Sequence, residues 1–170
     1  DGNYAMPYFT SGFYHLEEWE WSSAGIGEIG NEKRVLVNRN GQLWSEEKYE
    51  NIWYHELSEL ISFKEGGKWG IMNMDKEVLV EPKYPMVRIL NSNLLVFRNK
   101  EGLSGLMDLN EKIITTPQYY EPDYDEELGL IRASFKGKKG LLKSNGEMVL
   151  PFEYQRVGQG SKVVKEGLIA

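Results

Sequence analysis

Histidines are the first residues to consider for chemistry, because they bind metals and transfer protons near neutral pH. His15 and His55 are the two histidines, and each directly precedes a short segment with carboxylates, residues 16–18 and 56–59. Neither segment is an H-E-x-x-H zinc motif, because the second histidine is missing. The chain has no cysteine, which excludes disulfides, thiol catalysis and the usual ligands of structural zinc. We therefore expect no metal and no cofactor.

Carboxylates are abundant, but their spacing predicts no catalytic site. The densest acidic run, residues 121–127, has neither the glycine at position six nor the glutamate at position twelve that a calcium loop needs. We interpret it as a solvated loop between structural repeats. Among 26 Asp and Glu residues, some pair will lie at a glycosidase separation by chance. No phosphate-binding glycine loop and no G-x-S-x-G nucleophile elbow occurs. These patterns favour a protein that is not an enzyme.

Aromatic side chains near the N-terminus are the strongest candidates for ligand contacts. Four of the 5 tryptophans lie within the first 53 residues. Tryptophan and tyrosine are enriched in binding hot spots, so the candidate ligand-binding residues are Trp19, Trp21, Trp53 and Tyr54. The interpretation that we favour for residues 1–25 is an aromatic-rich N-terminal cap over one end of the fold, since terminal segments of repeat proteins are atypical; a ligand-binding platform is the alternative.

Composition narrows the class of protein. The 170 residues are 41% hydrophobic, which is enough to build a core, and carry a net charge of −6. An acidic chain lacks the basic surface that nucleic-acid binding requires. No apolar run approaches the ~18–20 residues of a transmembrane helix. We therefore expect neither a nucleic-acid partner nor a membrane-spanning segment.

A repeat of 35 residues organises most of the sequence. Three series of residues recur on this spacing: a tyrosine, a glycine and an Asn or Asp. The members are Tyr49, Tyr84, Tyr119 and Tyr154; Gly70, Gly105 and Gly140; and Asn40, Asp75, Asn110 and Asn145.

Each copy predicts three short antiparallel strands. In the second copy, residues 60–63, 69–74 and 77–81 are apolar runs bounded by turn residues, too short for helices. Asn40-Gly41 and Asn145-Gly146 are signals for type I′ hairpin turns. A recurring glycine near the start of a strand indicates that a ring or a backbone lies directly over it. The repeated tyrosine is the candidate for that ring, which places the tyrosine series in the core between repeats.

Residues 67–73 (GKWGIMN) and 80–84 (VEPKY) resemble the WG β-repeat family, also called the KWG repeat. The third copy has Ser104 in place of the tryptophan, and the fourth has Lys139. The first copy is degenerate, with Arg34-Val35 at the motif. The resemblance covers about residues 26–170. It implies a β-repeat fold, mainly bacterial members that are often exported, and no general catalytic site or cofactor.

The predicted fold is all-β, with about four three-stranded meanders stacked in an open, solenoid-like array. The repeats span about residues 26–60, 61–94, 95–129 and 130–163, and residues 164–170 supply a partial terminal strand. A small, closed β-propeller-like array is the alternative, although propeller blades usually have four strands and ~40–50 residues.

The predicted function is a non-enzymatic repeat scaffold that binds a protein or a glycan, in the bacterial cell envelope or after export. Repeat arrays present extended surfaces suited to binding. The alternative is a hydrolase acting on glycans or peptidoglycan through paired carboxylates.

Overall fold

The computed structural model describes residues 21–26, 33–38, 40–45, 47 and 49–157. Within these ranges the chain forms β-strands, one 3-10 turn at Glu56–Ser58 and no α-helix. The part of the chain that is described contains no helix long and apolar enough to cross a membrane. The strands are β1 (Trp21–Ile26), β2 (Lys33–Asn38), β3 (Asn51–His55), β4 (Leu60–Glu65), β5 (Lys68–Asn73), β6 (Val78–Tyr84), β7 (Met86–Asn91), β8 (Leu94–Arg98), β9 (Ser104–Asp108), β10 (Ile113–Asp125), β11 (Leu130–Phe135), β12 (Lys138–Leu142) and β13 (Met148–Tyr154).

The chain divides into two units, residues 1–83 and 84–170. In the first unit, β1 pairs with β2, and the strands β3, β4, β5 and β6 form a four-stranded sheet in that order. The central strands β4 and β5 are buried over residues 60–63 and 70–72, which are mostly apolar. The core of this unit consists of Leu36, Ile52, Ile61, Phe63 and Met72.

The second unit is built on a seven-stranded antiparallel sheet that runs in order from β13 to β7. Its longest strand, β10, has 13 residues and pairs with two neighbours. The first half of β10 pairs with β9, and the second half pairs with β11. Glu121 lies at the shift of register between the halves and has a φ of 46°, so the strand bends there. One core joins both halves: Leu94, Val96, Leu106, Tyr119, Ile131, Ala133 and Leu142.

The all-β, antiparallel prediction is confirmed, but three strands per repeat is wrong. The sheet of β3 to β6 has four strands, because Asn51–His55 pairs with β4. Met86–Asn91 adds the equivalent strand next to β8, and the second half of β10 does so next to β11. The acidic run at 121–127 is accordingly not a loop over its first five residues, which belong to β10. These strands follow the repeated tyrosine without a glycine turn, so no sequence signal marks where they start.

The hairpin turns lie at the predicted places, but their type differs. A type I′ turn needs positive φ at both central residues. In the Asn40-Gly41 and Asn145-Gly146 turns only the glycine has positive φ, 75° and 84°. These are three-residue loops closed by a residue in the left-handed region, such as Gly41, whose N–H bonds Asn38 O at 2.9 Å. Two positive φ values in succession, as a type I′ turn requires, occur instead at Gly66-Gly67 and at Lys136-Gly137.

The side chain that precedes each of these loops holds the turn in the first three copies. Asn73 Oδ1 accepts hydrogen bonds from the backbone N–H of Asp75 at 3.0 Å and of Glu77 at 2.9 Å. Asn38 and Asp108 do the same in their own turns. The fourth copy has Lys143 at this position, and there Asn145 accepts from the N–H of Glu147 instead.

A phenylalanine ring, and not the repeated tyrosine, covers each repeated glycine. A Cβ added at Gly70 would lie 2.9 Å from the ring of Phe63, and one at Gly105 would lie 2.8 Å from the ring of Phe97. Phe152 covers Gly140 in the same way. The prediction that a group lies over each glycine is therefore confirmed, and the choice of tyrosine is wrong.

The repeated tyrosines pack against those phenylalanines. The ring centroids are 5.7 Å apart for Tyr49 and Phe63, 5.4 Å for Tyr84 and Phe97, and 5.3 Å for Tyr119 and Phe152. Tyr119 is buried, whereas Tyr49 and Tyr84 are half-buried. The tyrosine series therefore contributes to the core, in a second layer behind the phenylalanine that contacts the glycine.

The two ends of the chain lie largely outside the described residues. Of the predicted cap, residues 1–20 are not described, and residues 21–26 form β1, which pairs with β2. The predicted terminal strand at 164–170 lies outside the described part as well.

Candidate functional site

Of the four residues of the predicted aromatic site, Trp53 and Tyr54 have described side chains, and they lie on opposite faces of β3. Trp53 is 47% exposed, whereas Tyr54 packs against the core of the first unit. Adjacent residues of a strand point to opposite faces, so these two rings do not form one platform. Trp19 lies outside the described residues, and Trp21 belongs to β1 with a side chain that is not described.

The histidine singled out above has a structural partner. His55 Nε2 lies 2.9 Å from the hydroxyl of Ser62 on the neighbouring strand β4. The other histidine, His15, is outside the described residues. Across the ranges that the structure describes, no three His, Asp or Glu side chains are grouped to hold a metal ion.

The acidic run takes part in an ion-pair cluster with two arginines. Asp123 lies 3.5 Å from Arg88 on β7 and 3.5 Å from Arg132 on β11. Asp125 lies 3.8 Å from Arg132 and accepts a hydrogen bond from the N–H of Leu128 at 3.1 Å. Two carboxylates held by guanidinium groups and backbone N–H groups connect β7, β10 and β11. This arrangement explains the acidic run as a structural element of the sheet.

A shallow depression of about 590 Å³ lies in the first unit beside Trp44. Its lining consists of Leu43, Trp44, Ser45, Glu47 and Lys76. The Trp44 indole N–H donates to the carbonyl oxygen of Met74 at 3.1 Å, which fixes the edge of the ring. The Lys76 ammonium lies 5.7 Å from the ring centroid, within the range of a cation–π contact. It also lies 3.9 Å from a carboxylate oxygen of Glu47.

The carboxylate of this depression is oriented by a tyrosine. The Tyr49 hydroxyl donates to Glu47 Oε2 at 2.7 Å. Burial, followed by the hydrogen bond and charge of Glu47, raises the pKa of the Tyr49 phenol above its usual value. The phenol is therefore protonated at neutral pH and remains a donor. The depression thus combines an aromatic face, an ammonium and an oriented carboxylate.

A second feature recurs at one position of every repeat: an exposed apolar side chain. We call these the repeat-edge residues: Leu43, Val78, Ile113 and Met148, which are 48%, 44%, 48% and 55% exposed. Three of them begin strands β6, β10 and β13, directly after the hairpin loop. Each unit carries two of the four. They share the 35-residue spacing of the other series, which is the sequence signal that marks them.

Solved structures with a similar fold include WD40 propellers. The C-terminal WD40 domain of Sif2 aligns with a TM-score of 0.50 at 12% identity, over 74% of this chain and 40% of that one. The WD40 β-propeller domain of Doa1 aligns with a TM-score of 0.43 at 10% identity, over 77% and 49%. A protein of unknown function from Bacteroides caccae aligns with a TM-score of 0.38 at 13% identity, over 79% and 58%. The chain spans about half of these longer chains, and the likeness to Sif2 concerns the fold alone.

Sequence comparison agrees with the repeat pattern. No curated protein matches the chain. The family model described as "WG containing repeat" matches residues 69–102, which run from Trp69 on β5 through β8 to the loop that follows β8. Together with the repeated glycine, tyrosine and turn positions, this match supports the resemblance of the chain to the WG β-repeat family.

Proposed function

We propose that this protein is a non-enzymatic repeat scaffold that binds a protein partner through its repeat-edge residues. The observation that carries the proposal is the exposure of an apolar side chain at the same position in all four copies, between 44% and 55%. The family resemblance supports a location in the bacterial cell envelope or outside the cell.

Single exposed apolar residues are normal on protein surfaces and need no explanation. Four at one repeated position differ from that background, because a solvent-facing position at a strand start accepts polar residues at no cost. In repeat proteins, binding surfaces are built from equivalent positions of successive copies. The periodic exposure therefore supports a role in contacts with another molecule.

The chemistry of these side chains favours protein over glycan as the partner. Leu43, Val78, Ile113 and Met148 are aliphatic or a thioether, and they offer no hydrogen-bonding groups to sugar hydroxyls. Apolar side chains contribute to protein interfaces by burial, with methionine enriched among interface residues. A glycan partner would instead be expected to engage exposed aromatic rings such as Trp53.

The test compares partner capture by the parent chain and by the double variant Ile113→Ser/Met148→Ser. Both substitutions lie at exposed positions of the second unit, so we expect the fold to be retained, as checked by circular dichroism and thermal unfolding. A photo-crosslinking residue placed at position 78 identifies proteins that contact this repeat-edge position in extracts of the source organism. Leu57→Ser is the matched control, because Leu57 is 87% exposed and is not a repeat-edge residue.

We expect one crosslinked protein that the parent and Leu57→Ser retain and that the double variant loses at least tenfold. Equal retention by the double variant would overturn the proposal. A glycan array in which the parent binds a sugar, and the Trp53→Ala variant does not, would also overturn it and favour the glycan alternative.

A further inference from the structure

The depression beside Trp44 already holds a cation, the chain's own Lys76. We infer that this depression binds a lysine or arginine side chain of the partner protein, and that Lys76 occupies the place in the free protein. This inference rests on the proposed function, since it names the chemistry of the partner at one point of the same surface. Leu43, one of the repeat-edge residues, lines the depression and makes the two features continuous.

The geometry of the depression suits a cationic side chain of a partner in two ways. The indole N–H of Trp44 is committed to Met74, so the ring is held by its edge and its π face remains for a cation. Glu47 supplies a carboxylate beside that face, and the Tyr49 hydroxyl holds one of its oxygens. An aromatic face with an adjacent carboxylate is the pairing that cations select in proteins.

Lys76 holds this place weakly, so a partner can displace it. Its contact with Glu47 is long, at 3.9 Å, and the side chains of the two residues are 44% and 61% exposed. Exposed ion pairs of this kind contribute little to stability because water screens them. An arginine has an advantage over Lys76, since a guanidinium stacks on an indole and can bind a carboxylate through two N–H groups.

The depression lies where the first copy of the repeat meets the second, and its side chains do not recur between the later copies. At the position of Trp44, the later copies have Leu79, Ile114 and Val149. At the position of Lys76, the two following copies have Glu111 and Gly146. An aromatic ring under a cation therefore occurs at this place in one copy of the four. The net charge of −6 adds a general attraction for a basic partner.

The experiment is an NMR titration of the full chain with a small cation, N-acetyl-arginine amide, followed at the indole N–H signal of Trp44. Comparison with the Trp44→Leu variant, which copies Leu79, assigns that signal. We expect a saturable shift of the signal, and at least tenfold weaker binding, measured on backbone signals, in Trp44→Leu and Glu47→Gln.

The informative variant is Lys76→Gly, which removes the internal competitor. Lys76 has a φ of 64°, where glycine is unstrained, and Gly146 occupies the same turn position in the fourth copy, so the fold is retained. We expect this variant to bind the arginine probe at least threefold more tightly than the parent. Leu57→Ser, which removes an exposed apolar side chain elsewhere, should leave the affinity unchanged.

Three results would overturn the inference: no saturable shift, equal affinity of the parent and Trp44→Leu, or a shift caused by chitotriose and not by the arginine probe. The proposed function is tested separately by Ile113→Ser/Met148→Ser. Loss of the partner in that variant together with failure of the arginine titration would leave the scaffold function standing and remove the cation site alone.

Discussion

The contact between a glycine, a phenylalanine ring and a carbonyl oxygen recurs in three copies of the repeat. At Gly105, the ring of Phe97 lies on one side and the carbonyl oxygen of Thr115 on the other. Glycine usually weakens a strand, because it loses more conformational freedom on folding than other residues. Here the close approach of ring and backbone compensates, since any Cβ would occupy the same space.

The Gly105→Ala variant tests this contact. The new Cβ would lie 2.5 Å from Thr115 O and 2.8 Å from the Phe97 ring, and the backbone oxygen has little freedom to move. Overpacking of this kind costs about 1–3 kcal/mol, so we expect the free energy of unfolding in urea to fall by about that amount. Thr116→Ala, at an exposed neighbouring position, is the control. Unchanged stability of Gly105→Ala would show that the sheets pack less closely.

The phenol of Tyr84 makes the free energy of unfolding depend on pH in the alkaline range. Burial, together with the hydrogen bond that its hydroxyl donates to Glu111 at 2.8 Å, raises the pKa of Tyr84 to about 12 from a usual value of 10.0. Because the folded state favours the protonated phenol, its contribution is complete below pH 10 and is lost as the pH rises through about 12. We measure the free energy of unfolding in urea for the parent and for Tyr84→Phe. We expect the parent's advantage in this free energy to decrease between pH 9 and pH 12. A constant difference would contradict this role.

At the scale of elements, the hairpin loops are held by a side chain that precedes them by one position. Asn73 accepts two backbone N–H bonds and also donates to the Glu77 carboxylate at 3.0 Å. An Asn or Asp that bonds the backbone two residues ahead mimics a backbone turn. The loop therefore carries its own stabilisation, independent of the strands that it joins.

We expect Asn73→Ala to lower the free energy of unfolding by about 1 kcal/mol. A hydrogen bond contributes about 0.5–1.5 kcal/mol to stability, and those of Asn73 are exposed to water. The fourth copy provides the reciprocal test. Lys143→Asn introduces the side chain found in the first two copies, and we expect a gain of about 0.5 kcal/mol. Thermal unfolding measures both changes. A stabilising effect of Asn73→Ala would contradict the role of the side chain.

The sequence predicts the repeated turns and strands of this fold. It does not predict the additional strand that follows each repeated tyrosine. Asn, Asp and Gly mark the turns, but no turn residue marks the additional strand that follows Tyr84 or Tyr119. Trp53 and Tyr54 are neighbours in the sequence, yet the alternation of side chains along a strand separates them. The contact of Trp44 with Lys76 joins two copies of the repeat, so it depends on packing that no single copy specifies.

At the scale of the whole molecule, the second unit has one core that spans two copies of the repeat. Leu94 and Val96 on β8 belong to the same buried cluster as Ile131 on β11. Strand β10 pairs with strands of both copies. Contacts of this kind make the two copies one cooperative element rather than two.

We expect Ile131→Ala to reduce hydrogen-exchange protection in β8 as well as in β11. Ile131 is fully buried, and its truncation costs about 2–5 kcal/mol. Exchange followed by mass spectrometry in increasing urea should show both strands losing protection at the same midpoint. Loss of protection confined to residues 130–154 would show that the two copies unfold separately.

The bend at Glu121 means that the boundary between the two halves of the seven-stranded sheet falls inside strand β10. The sequence repeat and the set of paired strands are therefore out of phase: residues 113–119 complete the half that contains β9, and residues 120–125 begin the half that contains β11. An in-frame insertion or deletion of 35 residues would replace the second half of such a strand by an equivalent one, so each half would keep its full set of strands. An insertion of a few residues at 119–122, by contrast, would disrupt the pairing in both halves at once. Copy number can thus vary in evolution, while the length of each copy cannot.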